Sequence, residues 1–307
     1  MESCASRYCG PPAPAPPASI ILTGRVTATN GGRALEDINV TFAGRSALTD
    51  LTGAFRLEWA AGTPPMAGVV TLAGRSIVTR SAPLSVNASR DVALDAIFSL
   101  DEFDLNYYRQ LVRNGFETPG MLRSVRRWTQ APKIRLKVVD EAGQPIDAVT
   151  LDTVQAALGN DTGAFTGERF GITLIDRATQ TQEGVSGWIT VKWPNPARPD
   201  ICGRAQVAVD GGWIELNYLN PRCACGNSRM GSATVRHEMG HALGFFHTDG
   251  NTGDLMFNTI RTCQASVSKR ERVHAAIAYS RPVGNVDPDT DPDGSSSVRA
   301  QPIIVLP

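Results

Sequence analysis

The apolar positions of this chain change their period along its length, and each change marks a boundary. From Ser19 to about Ile97, short apolar runs (Ile20-Ile21-Leu22, Ile38-Asn39-Val40, Phe55-Arg56-Leu57, Val92-Ala93-Leu94) are separated by Gly, Asn and Asp. Short runs between turn residues predict an all-β unit. Within it, Val40-Thr41-Phe42-Ala43-Gly44-Arg45-Ser46-Ala47-Leu48-Thr49 returns as Val70-Thr71-Leu72-Ala73-Gly74-Arg75-Ser76-Ile77-Val78-Thr79. Each copy reads as strand, turn, strand, which predicts two hairpins of one small sandwich; two copies are too few for a solenoid. Residues 98–127 are charged and helical in spacing, with a break near Thr118-Pro119-Gly120, and predict a connector packed across a domain junction. Lys133–Val139 then alternates as a strand. Asp147–Leu158 spaces Val149, Leu151, Val154, Ala157 and Leu158 as a helix, and Phe170–Ile175, Gly187–Trp193, Ala205–Val209 and Trp213–Leu216 predict further strands. Ser266–Tyr279 predicts a helix with Val267, Val273, Ala276 and Ile277 inward. The chain therefore divides into a flexible Pro-rich leader (1–18), a β-sandwich (19–97), a helical connector (98–127), an α+β domain (128–281) and a disordered acidic tail (282–307).

Composition narrows the functions open to this multi-domain chain. Its 307 residues accommodate two domains, and 30 Lys+Arg balance 30 Asp+Glu. That balance offers no electrostatic footing for nucleic acid or an anionic membrane. The cluster Arg123, Arg126, Arg127 is short and reads as a solvated helix face. No apolar run reaches the roughly 18 residues of a membrane span, and residues 1–17 lack the apolar core of a signal peptide. Six cysteines, an even number, favour disulfides and an oxidising compartment, so the expected location is secreted or cell-surface. Cys4 and Cys9 fall in the leader, while Cys202, Cys223, Cys225 and Cys263 fall in the α+β domain. A Cys223–Cys225 bridge is the least favoured by geometry. Each of those two is expected to pair with Cys202 or Cys263, in either arrangement.

The chemistry concentrates in eleven residues. The segment His237-Glu238-Met239-Gly240-His241-Ala242-Leu243-Gly244-Phe245-Phe246-His247 holds three of the four histidines in the chain and fits H-E-x-x-H-x-x-G-x-x-H. Residues four apart on a helix are neighbours one turn up, so His237 and His241 can chelate one ion. Ser232 is the expected N-cap. Gly244 suits the helix end with positive φ, letting the chain turn and bring His247 to the same metal. Three neutral nitrogens leave a fourth zinc position for water, the arrangement of a catalytic site. Glu238, beside the first ligand, is placed to take the proton of that water. His274 lies on another helix, where a lone histidine is more often packed than a ligand.

These residues resemble the metzincin clan of zinc endopeptidases. Asp254-Leu255-Met256-Phe257 looks like that clan's Met-turn, with Met256 as the supporting methionine. Thr248, a small hydroxyl residue after the third ligand, leans towards the matrixins, and Asn258 stands where some subfamilies carry a tyrosine ligand. The resemblance implies a twisted mixed sheet, an active-site helix and a C-terminal helix, one catalytic zinc, and an extended polypeptide substrate. It also implies an edge strand that pairs with that substrate, for which Gly203–Val209 is the candidate, with Gly203, Ala205 and Val207 on it. Pro221-Arg222-Cys223 is similar to part of the matrixin propeptide segment whose thiolate blocks the zinc, which raises the option that Cys223 is a latency switch. Upstream, Gly24-Arg25-Val26 and Thr49-Asp50-Leu51-Thr52-Gly53-Ala54-Phe55 resemble the carboxypeptidase regulatory-like, transthyretin-like β-sandwich, an accessory module. Asp289-Thr290-Asp291-Pro292-Asp293-Gly294 opens like a calcium loop, although Ala300 stands where an EF-hand needs Glu, so Ca2+ is a second candidate ion. Two other readings compete: a non-catalytic adhesive or scaffold protein with a structural zinc, and a zinc amidase acting on a non-protein substrate.

Overall fold

The computed structural model describes residues 19–180, 182–249, 253–260, 262–293 and 303–307. The leader, with Cys4 and Cys9, lies outside them. Seven strands occupy the first part: β1 (Ile20–Ala28), β2 (Asn39–Phe42), β3 (Arg45–Leu48), β4 (Ala54–Trp59), β5 (Met66–Ala73), β6 (Arg80–Val86) and β7 (Arg90–Ala96). They form two sheets, ordered β4-β1-β7 and β3-β2-β5-β6. Leu22, Val26, Val40, Phe42, Leu57 and Val70 join a single apolar cluster, with Phe42 edge-on to Trp59 at 6.0 Å. The Thr-Asp-x-x-Gly-x-Phe segment works as a turn. Asp50 Oδ1 accepts from the amides of Thr52 and Ala54, and Gly53 takes φ +75°, a conformation that Gly adopts without Cβ strain.

The two sequence copies do not fold alike. The first is the β2–β3 hairpin. In the second, β5 pairs with β6 from Leu72↔Arg80 onward, so Gly74–Thr79 form a wide loop instead of a turn and strand. Tertiary contact outweighs the local pattern there. Ile77 bridges to Phe98, and Val78 joins the apolar core of the following part of the chain.

That core is built from α1 (Leu105–Arg113), β8 (Lys133–Lys137), α2 (Ala148–Asn160), α3 (Thr162–Phe165), β9 (Ile175–Ala178), β10 (Trp188–Lys192), β11 (Gly203–Gln206), β12 (Trp213–Leu216), α4 (Ser232–Leu243) and α5 (Lys269–Ser280), and β13 (Val305–Leu306) adds a last strand whose Leu306 packs in a separate small cluster. The six strands make one mixed sheet, ordered β13-β11-β12-β10-β8-β9. α4 packs on β11, β12 and α2. Several expectations change. The connector is helical only over α1, which Asn114 ends in the left-handed region, and Arg126 is buried, not part of a solvated face. Phe170–Leu174 is not a strand, since Phe170 turns inward onto Tyr279, and β9 begins at Ile175. Val149 points to solvent, not into the core.

The acidic tail is the largest departure. Residues 282–293 are folded, and Asp289 is fully buried. It accepts from Arg281 Nε and Nη2, both at 2.7 Å, and from Asn285 Nδ2 at 2.9 Å. Arg281 also reaches Asp95, and Arg80 reaches Asp291 at 2.7 Å, so the tail is tied to both parts of the protein. A polar composition reads as disorder only when the charges lack buried partners. The calcium reading falls for the same reason: Asp289 and Asp291 are turned onto guanidinium groups, which already neutralise them. Residues 294–302 of the tail lie outside the described set.

Candidate metal centre

α4 is capped one residue earlier than expected. Gly231 is the N-cap, and Ser232 is the first helical residue, its hydroxyl donating to the Cys263 carbonyl at 3.3 Å. At the other end Gly244 takes φ +119°, and a Cβ there would overlap the Arg126 carbonyl, so both conformation and space demand glycine. The orphan carbonyls of the last turn are satisfied by Trp128 Nε1 onto Ala242 O and Tyr279 Oη onto Leu243 O, each at 2.8 Å. The chain then turns through the buried Phe245 and Phe246 to His247.

The result is a triangle. The Nε2 atoms of His237, His241 and His247 lie 3.1 Å from one another, and all three residues are buried. Each Nδ1 faces an oxygen: Leu255 O at 2.7 Å, Phe245 O at 2.8 Å and Glu117 Oε1 at 2.6 Å. Carbonyl and carboxylate oxygens only accept, so each Nδ1 carries the ring proton and each Nε2 presents a lone pair. Three lone pairs converging at 3.1 Å repel unless a cation sits among them. A triangle of that size leaves a point about 2 Å from all three nitrogens, the metal–imidazole distance of zinc. Burial also holds the His237 and His241 rings neutral. It lowers the His237 pKa to about 3, helped by His247, and lowers that of His241 well below the usual imidazole range. Among the described residues, these three form the His/Cys/Asp/Glu group able to hold a metal ion.

Glu238 projects from the same helix toward β11. A Cβ on Gly203 would come within 2.6 Å of Glu238 Cγ and Oε1, so the carboxyl occupies space that only glycine leaves open. Its Oε2 is buried without a hydrogen-bond partner, and burial raises its pKa well above the usual carboxylate value. Met256 sits fully buried against Gly240, where a Cβ would overlap its sulfur. The turn that carries Met256 is strapped on both sides. Thr248 N donates to Met256 O at 2.9 Å, and Met256 N donates to Glu271 Oε1 at 2.6 Å. A cleft of about 630 Å³ opens here, lined by His237, Glu238, Gly203, Thr234, Asn258 and Ile260 among others.

The four cysteines among the described residues pair as Cys202–Cys223 and Cys225–Cys263. Cys223 is thus a half-cystine, and its sulfur is not free to cap a metal as a latency switch would. The first bridge anchors the residue before β11. The second joins the approach to α4 to the loop whose Cys263 carbonyl accepts from Ala233 N at 3.1 Å. His274 is packed away from the triangle, with its Nδ1 on Arg270 O and its ring stacked on Phe103.

Two residues of the site escape a sequence reading. Glu271 closes a capping box at the start of α5 while accepting from Met256 N; the Ser268-x-x-Glu271 spacing is a readable cue for the box, not for the second role. Glu117, distant in sequence, orients His247. Such outer carboxylates tune their ligand, and replacing Glu117 by Ala is expected to weaken metal affinity about 10- to 100-fold. Competition against a chromophoric chelator measures this, and unchanged affinity would make Glu117 a bystander.

The free sheet edge expected at β11 is not there, because β13 pairs with it antiparallel, Ala205↔Leu306 and Gln206↔Val305. Gly203, Ala205 and Val207 are all buried.

No protein-family model matches the chain, and no curated protein does. Among solved structures, metalloproteinase-II from Bacteroides fragilis aligns at 12% identity and a TM-score of 0.33, over 83% of this chain and 84% of its own. A type II cohesin–X-dockerin complex from Acetivibrio cellulolyticus aligns over 25% of this chain at 19% identity and a TM-score of 0.21, and the match spans 56% of that protein's length.

Proposed function

We propose that the protein is a secreted zinc endopeptidase of metzincin type, in which His237, His241 and His247 hold the ion and Glu238 moves the proton. The observation that carries this reading is the closed triangle of Nε2 lone pairs beside a buried carboxyl with an unpartnered oxygen. Nitrogen donors in a three-plus-one arrangement favour zinc. Zinc, when bound, supplies Lewis-acid polarisation of a peptide carbonyl and acidifies water from 15.7 towards about 7. Glu238 Oε2 accepts a proton from the attacking water and returns it to the leaving amine. The histidine Nδ1 partners keep the three rings fixed in the ligating tautomer, and Met256 fills the floor under Gly240. Among the described residues, no helix is long and apolar enough to cross a membrane, and two disulfides suit an oxidising compartment. The scaffold alternative, with Cys223 closing the fourth metal position, loses its ligand to the Cys202 bridge.

The test is the bond broken. Unfolded casein is incubated with the full chain, and new N-termini in the products are sequenced, with and without a zinc chelator. Internal peptide cleavage that the chelator abolishes and added zinc restores is expected. Intact casein under all conditions would overturn the proposal.

A further inference from the structure

Residues 303–307 lie where the substrate of such an enzyme would. β13 runs antiparallel on β11, and Val207 N donates to Ile304 O at 2.9 Å, continuing the ladder beyond the paired residues. Leu306 packs with Val207 and Phe246 in a small apolar cluster that Ile304 borders. Pro307 then lines the cleft together with His237, Glu238 and Gly203. Its main-chain oxygen stands 3.1 Å from His247 Nε2, the same separation as between the histidine nitrogens. The Nδ1 of His247 holds the ring proton toward Glu117, so Nε2 and the Pro307 oxygen are both acceptors. Two acceptors that close do not bond to each other. They are spaced as two ligands of one cation are.

We propose that residues 303–307 are an internal pseudosubstrate: they fill the substrate strand beside β11 and place the Pro307 oxygen at the fourth ligand position of the metal. The proposal rests on reading this site as a peptidase. Main-chain pairing gives affinity, and the Val207–Phe246 patch supplies side-chain preference, so the cleft takes an extended peptide with an apolar residue next to the one at the metal. A tethered segment competes at an effective concentration near about 1 mM. If the free segment binds with a Kd of about 0.1 mM, tethering raises the apparent KM for substrate about tenfold.

The test uses the full chain and two variants, Leu306→Asp and a chain ending at Asp293. The first places a charge against Phe246 and Val207, and the second removes the segment should the first perturb folding. Hydrogen exchange at the Val207 amide is read by mass spectrometry, binding of a labelled Ile-Ile-Val-Leu-Pro peptide by fluorescence anisotropy, and casein cleavage by KM and kcat. Exchange at Val207 is expected to accelerate about tenfold or more in both variants, because its acceptor, the Ile304 carbonyl, is displaced in the first and removed in the second. The peptide is expected to bind the variants about tenfold more tightly than the full chain, and KM is expected to fall with little change in kcat. Unchanged exchange with no gain in peptide binding would overturn the proposal. So would faster exchange with an unchanged KM, which would make β13 an ordinary edge strand. Exchange and peptide binding need no turnover. Faster exchange with tighter peptide binding by the variants in a protein that cleaves nothing therefore supports the occupancy while the peptidase reading fails.

Discussion

Replacing Glu238 by Gln is expected to lower casein cleavage by about 10^2- to 10^4-fold while the metal stays bound at wild-type stoichiometry. Glutamine keeps the volume that Gly203 accommodates and loses only the ability to take a proton. The carboxyl has no hydrogen-bond partner at Oε2, and burial pushes its pKa up in the protein alone. A divalent cation in the neighbouring triangle acts in the opposite direction, favouring the anion. A base whose proton affinity is set between these two effects is suited to accept and then release one proton per turnover. The fold-loss corresponds to about 3–5 kcal/mol of transition-state stabilisation. Metal content by plasma mass spectrometry and kcat/KM on the same samples check it. Near-normal turnover in the Gln variant would move the proton transfer to another group.

Removing one ligand should have a larger structural effect. His241 is fully buried, and its Nδ1 closes the turn after α4 on Phe245 O. In His241→Ala, metal content is expected to fall close to zero. At free metal about a thousandfold above Kd, binding adds about 4 kcal/mol to folding stability, which the variant forfeits. The missing imidazole adds a cavity cost. Urea midpoints for both proteins, with and without chelator, separate these contributions. The chelator should shift the wild type downward and leave the variant where it is. A wild-type midpoint insensitive to chelation would mean that the triangle holds no ion.

The parts of the site legible in sequence are those fixed by local geometry. His237 and His241 meet because they are four apart on one helix, and Gly244 turns the chain because nothing else fits φ +119° there. Glu117 is not legible, since its carboxyl reaches His247 from an irregular segment after α1 and no periodicity links the two. The sandwich strands are readable from short runs and turn residues, but the second sequence copy opens into a loop because Ile77 and Val78 find partners elsewhere. The tail reads as disorder because Asp289 and Arg281 look solvent-seeking one at a time, whereas they are buried together as a pair. β13 on β11 is equally hidden: two residues of strand carry no pattern, and their place is set by an edge distant in the chain.

Stepwise zinc addition to the metal-free full chain, read as casein cleavage, tests the central claim most directly. Cleavage should rise linearly and stop at one equivalent in the wild type, and should stay near zero in Glu238→Gln although that variant takes up the same one equivalent. Cleavage by the metal-free chain, or equal cleavage by both proteins, would contradict it.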